Sequence, residues 1–276
     1  MERTRSNRSV DMTVGSPAKL LIGFAVPLFI GNILQQLYNL MDTSLAGHIL
    51  GDSALAQIGA TAALYSLVTN MAIGLNNGFA LFVSRNFGAG NEKEMRKSVC
   101  WTVILCVIST FVMTAGLLIF RVPLLNVLKV PSDTMDGALS YLTVILAGIP
   151  FTMAYNLESS LLRAIGNSVT PLIFLVFSSV LNIIFDYLLM SPMHMGVRGA
   201  AIATILAQGI SAVLGIICIT RKYPELSFGR ADIKAEAGYV FEMLWTGLSM
   251  ALMSAIYNIG SVILQSSINA LGNVYI

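Results

Sequence analysis

Four polar residues set in long apolar stretches carry the chemistry of this chain: Asp42, Asn182, Asp186 and Thr204. Their carboxylate, amide and hydroxyl oxygens are hard donors, the kind that a proton or Na+ accepts. An ionised carboxylate at the centre of a membrane helix costs about 2.5 to 3.5 kcal/mol on insertion scales, so two at one depth need a positive guest. Two close carboxyl groups also titrate as a coupled pair. The alternative is that both acids snorkel to the membrane interface. Asn182 and Asp186 are four residues apart and share one helix face.

A second set of polar residues is spread along the first two apolar runs. Gln35, Asn39 and Asp42 recur at helical spacing on the first, and Tyr65, Thr69, Asn70, Asn76 and Asn77 interrupt the second. Of these, Gln35, Asn39, Tyr65 and Asn70 are candidates to line a water-filled substrate cavity. Interhelical hydrogen bonding, at about 0.6 kcal/mol per contact, is the competing explanation. Pro27, Pro150 and Pro171 can kink their helices, either for movement or as fixed packing features.

The remaining reactive residue types exclude several function classes. Cys100, Cys106 and Cys218 lie in apolar runs without metal-like spacing and read as small buried hydrophobes. His48 and His194 fall near predicted helix ends, and the 14 Met residues read as core filling. Gly88-Ala89-Gly90-Asn91 reads as a turn closing the second run. No phosphate loop, HExxH pair or nucleophile and base grouping emerges, so the chain is expected to be no enzyme and to need no cofactor beyond its coupling ion. No metal site is expected apart from Na+ at the acids.

The elements that position these residues are membrane helices. Seven stretches free of Asp, Glu, Lys and Arg run over 20–41, 53–84, 98–120, 137–157, 164–185, 199–220 and 243–276. Each is long enough to cross the ~30 Å hydrocarbon layer. With 56% hydrophobic and 11% charged residues and a mean hydropathy of +0.78, the chain cannot be a soluble globule. Continuous apolar runs lack the alternation of barrel strands, so the class is an all-α integral membrane protein. The net charge of +2 reflects loop topology and implies no nucleic-acid partner.

Alternating the loops between two sides puts 13 of the 16 basic residues on one side, leaving Arg121, Lys129 and Arg198 opposite. That predicts a cytoplasmic N-terminus. Ser16 and Pro17 supply an N-cap and first-turn proline to an uncleaved first helix. The run after Met41 stays largely apolar to Leu50, which keeps Asp42 inside the outer leaflet. Asp186 follows Pro171 by 15 residues, about 22 Å of helix, and Thr204 lies about 9 Å past Arg198. Three helices thereby deliver the acids, amide and hydroxyl to one height.

Four segments of this chain resemble the multidrug and toxic compound extrusion (MATE) transporters. They are PLFIGNILQQLYNLMDTSLAGHILGDSALAQIGA (27–60), RNFGAGNEKEMRKS (85–98), LRAIGNSVTPLIFLVFSSVLNIIFDYLL (162–189) and MGVRGAAIATILAQ (195–208). The resemblance implies two six-helix lobes around a central cavity in the cell membrane, exchanging H+ or Na+ for a small organic compound. It also implies a cation site built from an acid of the first helix, an Asn and Asp of the fifth and a Thr of the sixth. Those positions match Asp42, Asn182, Asp186 and Thr204, the residues that the depth argument selects.

The expected organisation is an N-terminal six-helix lobe over 1–225, then a linker and first helix of a second lobe over 226–276, the remaining C-terminal helices being absent from the chain. Sliding by 222 places Leu264 on Asp42, so the seventh run carries no equivalent acid, and Glu242 stands only at its start. The expected function is cation-coupled export of cationic or neutral organic compounds by alternating access. A lipid or polysaccharide flippase is the main alternative. It would present basic residues to anionic head groups, and the predicted spans contain none. A seven-helix receptor would place its N-terminus outside, a channel would conduct without stoichiometric exchange, and an enzyme lacks its nucleophile.

Overall fold

The computed structural model describes residues 15–234 and 236–270; Arg3, Arg5, Arg8 and the last six residues of the seventh predicted run lie outside them. The described residues form eight α-helices: α1 (Pro17–Leu50), α2 (Asp52–Gly88), α3 (Glu92–Val127), α4 (Met135–Ala147), α5 (Ile149–Ala164), α6 (Val169–Met190), α7 (Val197–Lys222) and α8 (Ala237–Asn269). Two short 3₁₀ turns, Pro224–Leu226 and Arg230–Ile233, join α7 to α8. Among the described residues six helices are long and apolar enough to cross a membrane, or seven if the bent pair α4 and α5 is counted as one span.

Local chemistry sets the ends of these helices. Ser16 precedes α1 in extended conformation with Pro17 at its first position, although the Ser16 side chain makes no capping hydrogen bond. The 88–91 segment is the expected turn: Gly90 adopts φ 68°, and the Asn91 side chain accepts from the Glu94 N–H to start α3. His48 lies in the last turn of α1 and His194 in the turn after α6 at φ 50°.

The fourth predicted span is broken. Its two halves, α4 and α5, meet at Gly148 with a bend of 47°. Pro150 near the start of α5 cannot donate to the preceding turn. A β-carbon on Gly148 would strike the Ile205 side chain of α7, so the bend seats directly against that helix. The fifth span likewise departs from the charge-free run: Ala164 closes α5, and α6 begins at Val169.

Three clusters form the interior. The largest gathers Phe79, Leu125, Leu142, Met153 and Met243 from α2, α3, α4, α5 and α8. A second packs Ala46, Ile58, Tyr141, Met190 and Ala201 around the end where α1 meets α2. The third, with Val83, Val99, Leu162 and Leu226, closes the opposite end. Outward faces remain apolar, with Phe29, Phe111, Ile119 and Ile173 all exposed, as lipid solvation requires. Helix α8 lies along α2, where Gly74 and Gly78 meet Gly247 and Ala251 backbone to backbone.

Candidate functional site: an acid pair between three helices

Helix α1 runs unbroken to Leu50, so Asp42 lies two turns inside it and has no helix end to snorkel from. Asp186 is fully buried on α6, with Asn182 buried one turn before it and Thr204 buried on α7. The Asp42 and Asp186 carboxyl groups lie within hydrogen-bonding reach of each other. Such a contact needs a proton on one group or a cation between them. One oxygen of each, Asp42 Oδ1 and Asp186 Oδ1, is buried without a hydrogen-bond partner. Buried oxygens without donors are uncommon in native interiors.

Asn182 ties the pair to α7. With its amide assigned so that both ends are satisfied, its nitrogen donates to Asp186 Oδ2 at 2.8 Å and its oxygen accepts from the Thr204 N–H at 3.1 Å. The Thr204 hydroxyl donates to the Ala200 carbonyl at 3.1 Å, and its oxygen retains acceptor capacity. All four residues expected from the sequence therefore meet at the junction of α1, α6 and α7.

Of the shell around them, the sequence reading named Tyr65 and Thr69, Tyr65 as a cavity candidate, and did not single out Tyr38, Tyr141, Thr152 or Gln208. Tyr38 on α1 shares a side-chain hydrogen bond with Thr204. Tyr65 on α2 is bonded to Thr69 and to Gln208 of α7. The Thr152 hydroxyl of α5 donates to Gln208 Oε1 at 2.6 Å, and buried Tyr141 of α4 lies near both acids. A spacing signal existed. Tyr38 and Asp42, Asn182 and Asp186, and Thr204 and Gln208 are each four residues apart, so each pair occupies one helix face.

The candidate cavity residues divide among different surroundings. Gln35 lines a cavity of about 340 Å³ between α1, α2, α5 and α6, together with Asn32, Asn77, Asn156 and Arg163. Tyr65 belongs to the shell of the acid pair. Asn39 is exposed on α1, and its carbonyl accepts from Thr43. Asn70 faces α8, its side-chain nitrogen lying 3.5 Å from Asn258 Oδ1. One inference from the sequence is corrected here: Arg163 lies in the last turn of α5 and not in a loop, so a basic group does line the cavity.

Comparison with known proteins supplies the family. The MatE family model matches residues 27–188, more than half of the chain, and that stretch contains three of the four site residues. The chain belongs to the MATE family. Two curated MATE relatives are similar over most of it. A probable multidrug resistance protein, YpnP of Bacillus subtilis, is 32% identical over 264 residues, covering 92% of this chain and 59% of YpnP. The probable multidrug resistance protein NorM of Thermotoga maritima is 29% identical, with 88% and 53% covered. Among solved structures, a MOP superfamily transporter from Pyrococcus furiosus superposes with a TM-score of 0.83 at 24% identity, covering 91% of this chain and 55% of that one. That likeness concerns the fold. The chain thus spans somewhat over half the length of the MATE relatives it matches.

Proposed function

We propose that this chain is the N-terminal part of a transporter that exchanges H+ or Na+ for small organic compounds across the cell membrane. Asp42, Asn182, Asp186 and Thr204 form its cation site. The observation that carries the proposal is the meeting of two carboxyl groups, each with an unpartnered buried oxygen, where three helices converge. A proton bridges the two groups directly, whereas Na+ gains both carboxylates and the Thr204 hydroxyl as oxygen ligands. The multidrug names of the relatives support organic cargo. The amides of Asn32, Gln35, Asn77 and Asn156, which line the cavity, suit neutral compounds.

Occupancy changes the packing of α1 against α6 and α7, since Asp42 comes from one side of that junction and Asn182, Asp186 and Thr204 from the other. Closing α1 on α6 narrows the cavity between them, which displaces cargo as the cation enters. For one proton, a pH unit supplies about 1.4 kcal/mol and 100 mV about 2.3 kcal/mol, together enough for roughly a 500-fold gradient. With the basic loops inside, the N-terminus is cytoplasmic and the cation arrives from outside.

The test is dye efflux from proteoliposomes containing the intact protein under an imposed pH or sodium gradient. Export driven by either ion is the expected result. Export that ignores both gradients would falsify the coupling, and steady conductance without dye movement would make the protein a channel.

A further inference from the structure

The groove between α1 and α6 changes character toward the basic end of the molecule. Gln35 lies seven residues before Asp42, about 10 Å along α1. At that level the cavity wall holds no acid and one guanidinium, that of Arg163. Its Nη2 donates to Asn77 Oδ1 at 3.3 Å. No carboxylate pairs with Arg163 among the described residues. Glu158, five residues earlier on α5, is directed instead at Gly215 of α7. An arginine keeps its charge in any protein environment, so a counter-charge is missing from this wall.

A second feature of the same cavity points the same way. Helix α6 begins here, with Ser168 as its N-cap and Pro171 in its first turn both lining the space. The start of a 22-residue helix carries partial positive charge and attracts anions. The Ser168 side chain makes no capping bond, and the Thr170 N–H is instead taken by Asn167 Oδ1 at 2.9 Å. The Ser168 hydroxyl is therefore left for another acceptor. Leu28, Ile73, Leu172 and Leu175 make the remaining wall apolar.

We propose that this cavity binds an amphipathic organic anion, with a carboxylate, sulfonate or phosphate head against Arg163 and the start of α6. Its apolar body lies on the leucines. A volume of about 340 Å³ suits a ligand of one or two rings, near the lower limit of small-molecule sites. The proposal rests on the export reading and deepens it, assigning a ligand class to the cavity from which that reading displaces cargo, and equilibrium binding without a gradient tests it apart from ion coupling.

The experiment is equilibrium binding of tritiated 1-naphthoate to the intact protein in maltoside detergent, without a gradient. 1-Naphthylmethylammonium and 1-naphthylmethanol serve as matched cationic and neutral competitors. Naphthoate is expected to bind at least ~10-fold more tightly than the ammonium compound, in line with charge-assisted pairing. Arg163→Gln should weaken naphthoate at least ~10-fold while changing naphthylmethanol less than about twofold, and Arg163→Lys should restore part of the loss. Equal or tighter binding of the cation overturns the proposal. So does unchanged naphthoate binding in an Arg163→Gln protein that melts at the wild-type temperature. Where that variant fails to fold, the anion and cation comparison on wild-type protein decides. Phosphatidylglycerol that displaces naphthoate assigns the site to a lipid phosphate, and absence of displacement assigns it to a soluble anion; either result sustains an anion site.

Discussion

Glu158 of α5 fills the space above Gly215 of α7, so that a β-carbon at 215 would coincide with its carboxyl group. The acid is only 3% exposed, and both its oxygens lack a hydrogen-bond partner. Gly215→Ala should therefore overpack the α5 and α7 contact and cost about 1 to 3 kcal/mol. Glu158→Met should preserve volume, remove the unsatisfied oxygens and raise the melting temperature. Thermal unfolding in detergent checks both, and a Glu158→Met protein that melts lower than wild type contradicts this account of the carboxyl.

Asp42→Asn and Asp186→Asn should each lower gradient-driven efflux at least ~10-fold in the intact protein, with membrane insertion unchanged. Each removes one carboxyl from the pair while keeping its size. Neither substitution introduces a charge, so misfolding is not the expected route to the loss. Efflux rates at wild-type level in both variants would remove the acid pair from the coupling mechanism.

The fold was largely legible because lipid imposes one rule: every span must satisfy its own backbone, so charge-free length marks a helix. Hydropathy alone did not show the break at Gly148, since Leu146 through Pro150 are all apolar or small. Pro150, named from the sequence as able to kink its helix, lies two residues beyond it, and only the fold shows that the bend seats against Ile205. The acid pair could be read because carboxylates in lipid are expensive and therefore conspicuous. Arg163 was misplaced for the opposite reason. It ends a helix beside a glycine and polar residues, as loop cations do, and only the position of α6 turns it into a cavity wall.

The shell around the acids should tune affinity more than it decides function. Tyr38→Phe removes one partner of Thr204, and Gln208→Leu removes one partner of Tyr65 and the acceptor of the Thr152 hydroxyl. Outer-shell losses at ion sites typically weaken binding by 10- to 100-fold. Both variants should raise the half-saturating ion concentration for efflux by about tenfold or more, with the maximal rate largely kept. A fall in maximal rate at an unchanged ion requirement would mean that these residues act on cargo or on packing instead.

The contact of α2 with α8 depends on the absence of side chains. A β-carbon on Gly78 would lie 2.6 Å from the Gly247 Cα, and one on Gly74 would lie 2.7 Å from the Ala251 Cα. Small residues four apart on both helices let the backbones approach, and packing contact is the main force between helices in lipid. Gly78→Val should push the helices apart and destabilise by about 1 to 3 kcal/mol, read as a lower melting temperature. Gly88→Ala, at the end of the same helix with open space around it, should shift the melting temperature by much less. Equal shifts in the two variants would mean that helix propensity, and not the close crossing, sets the cost.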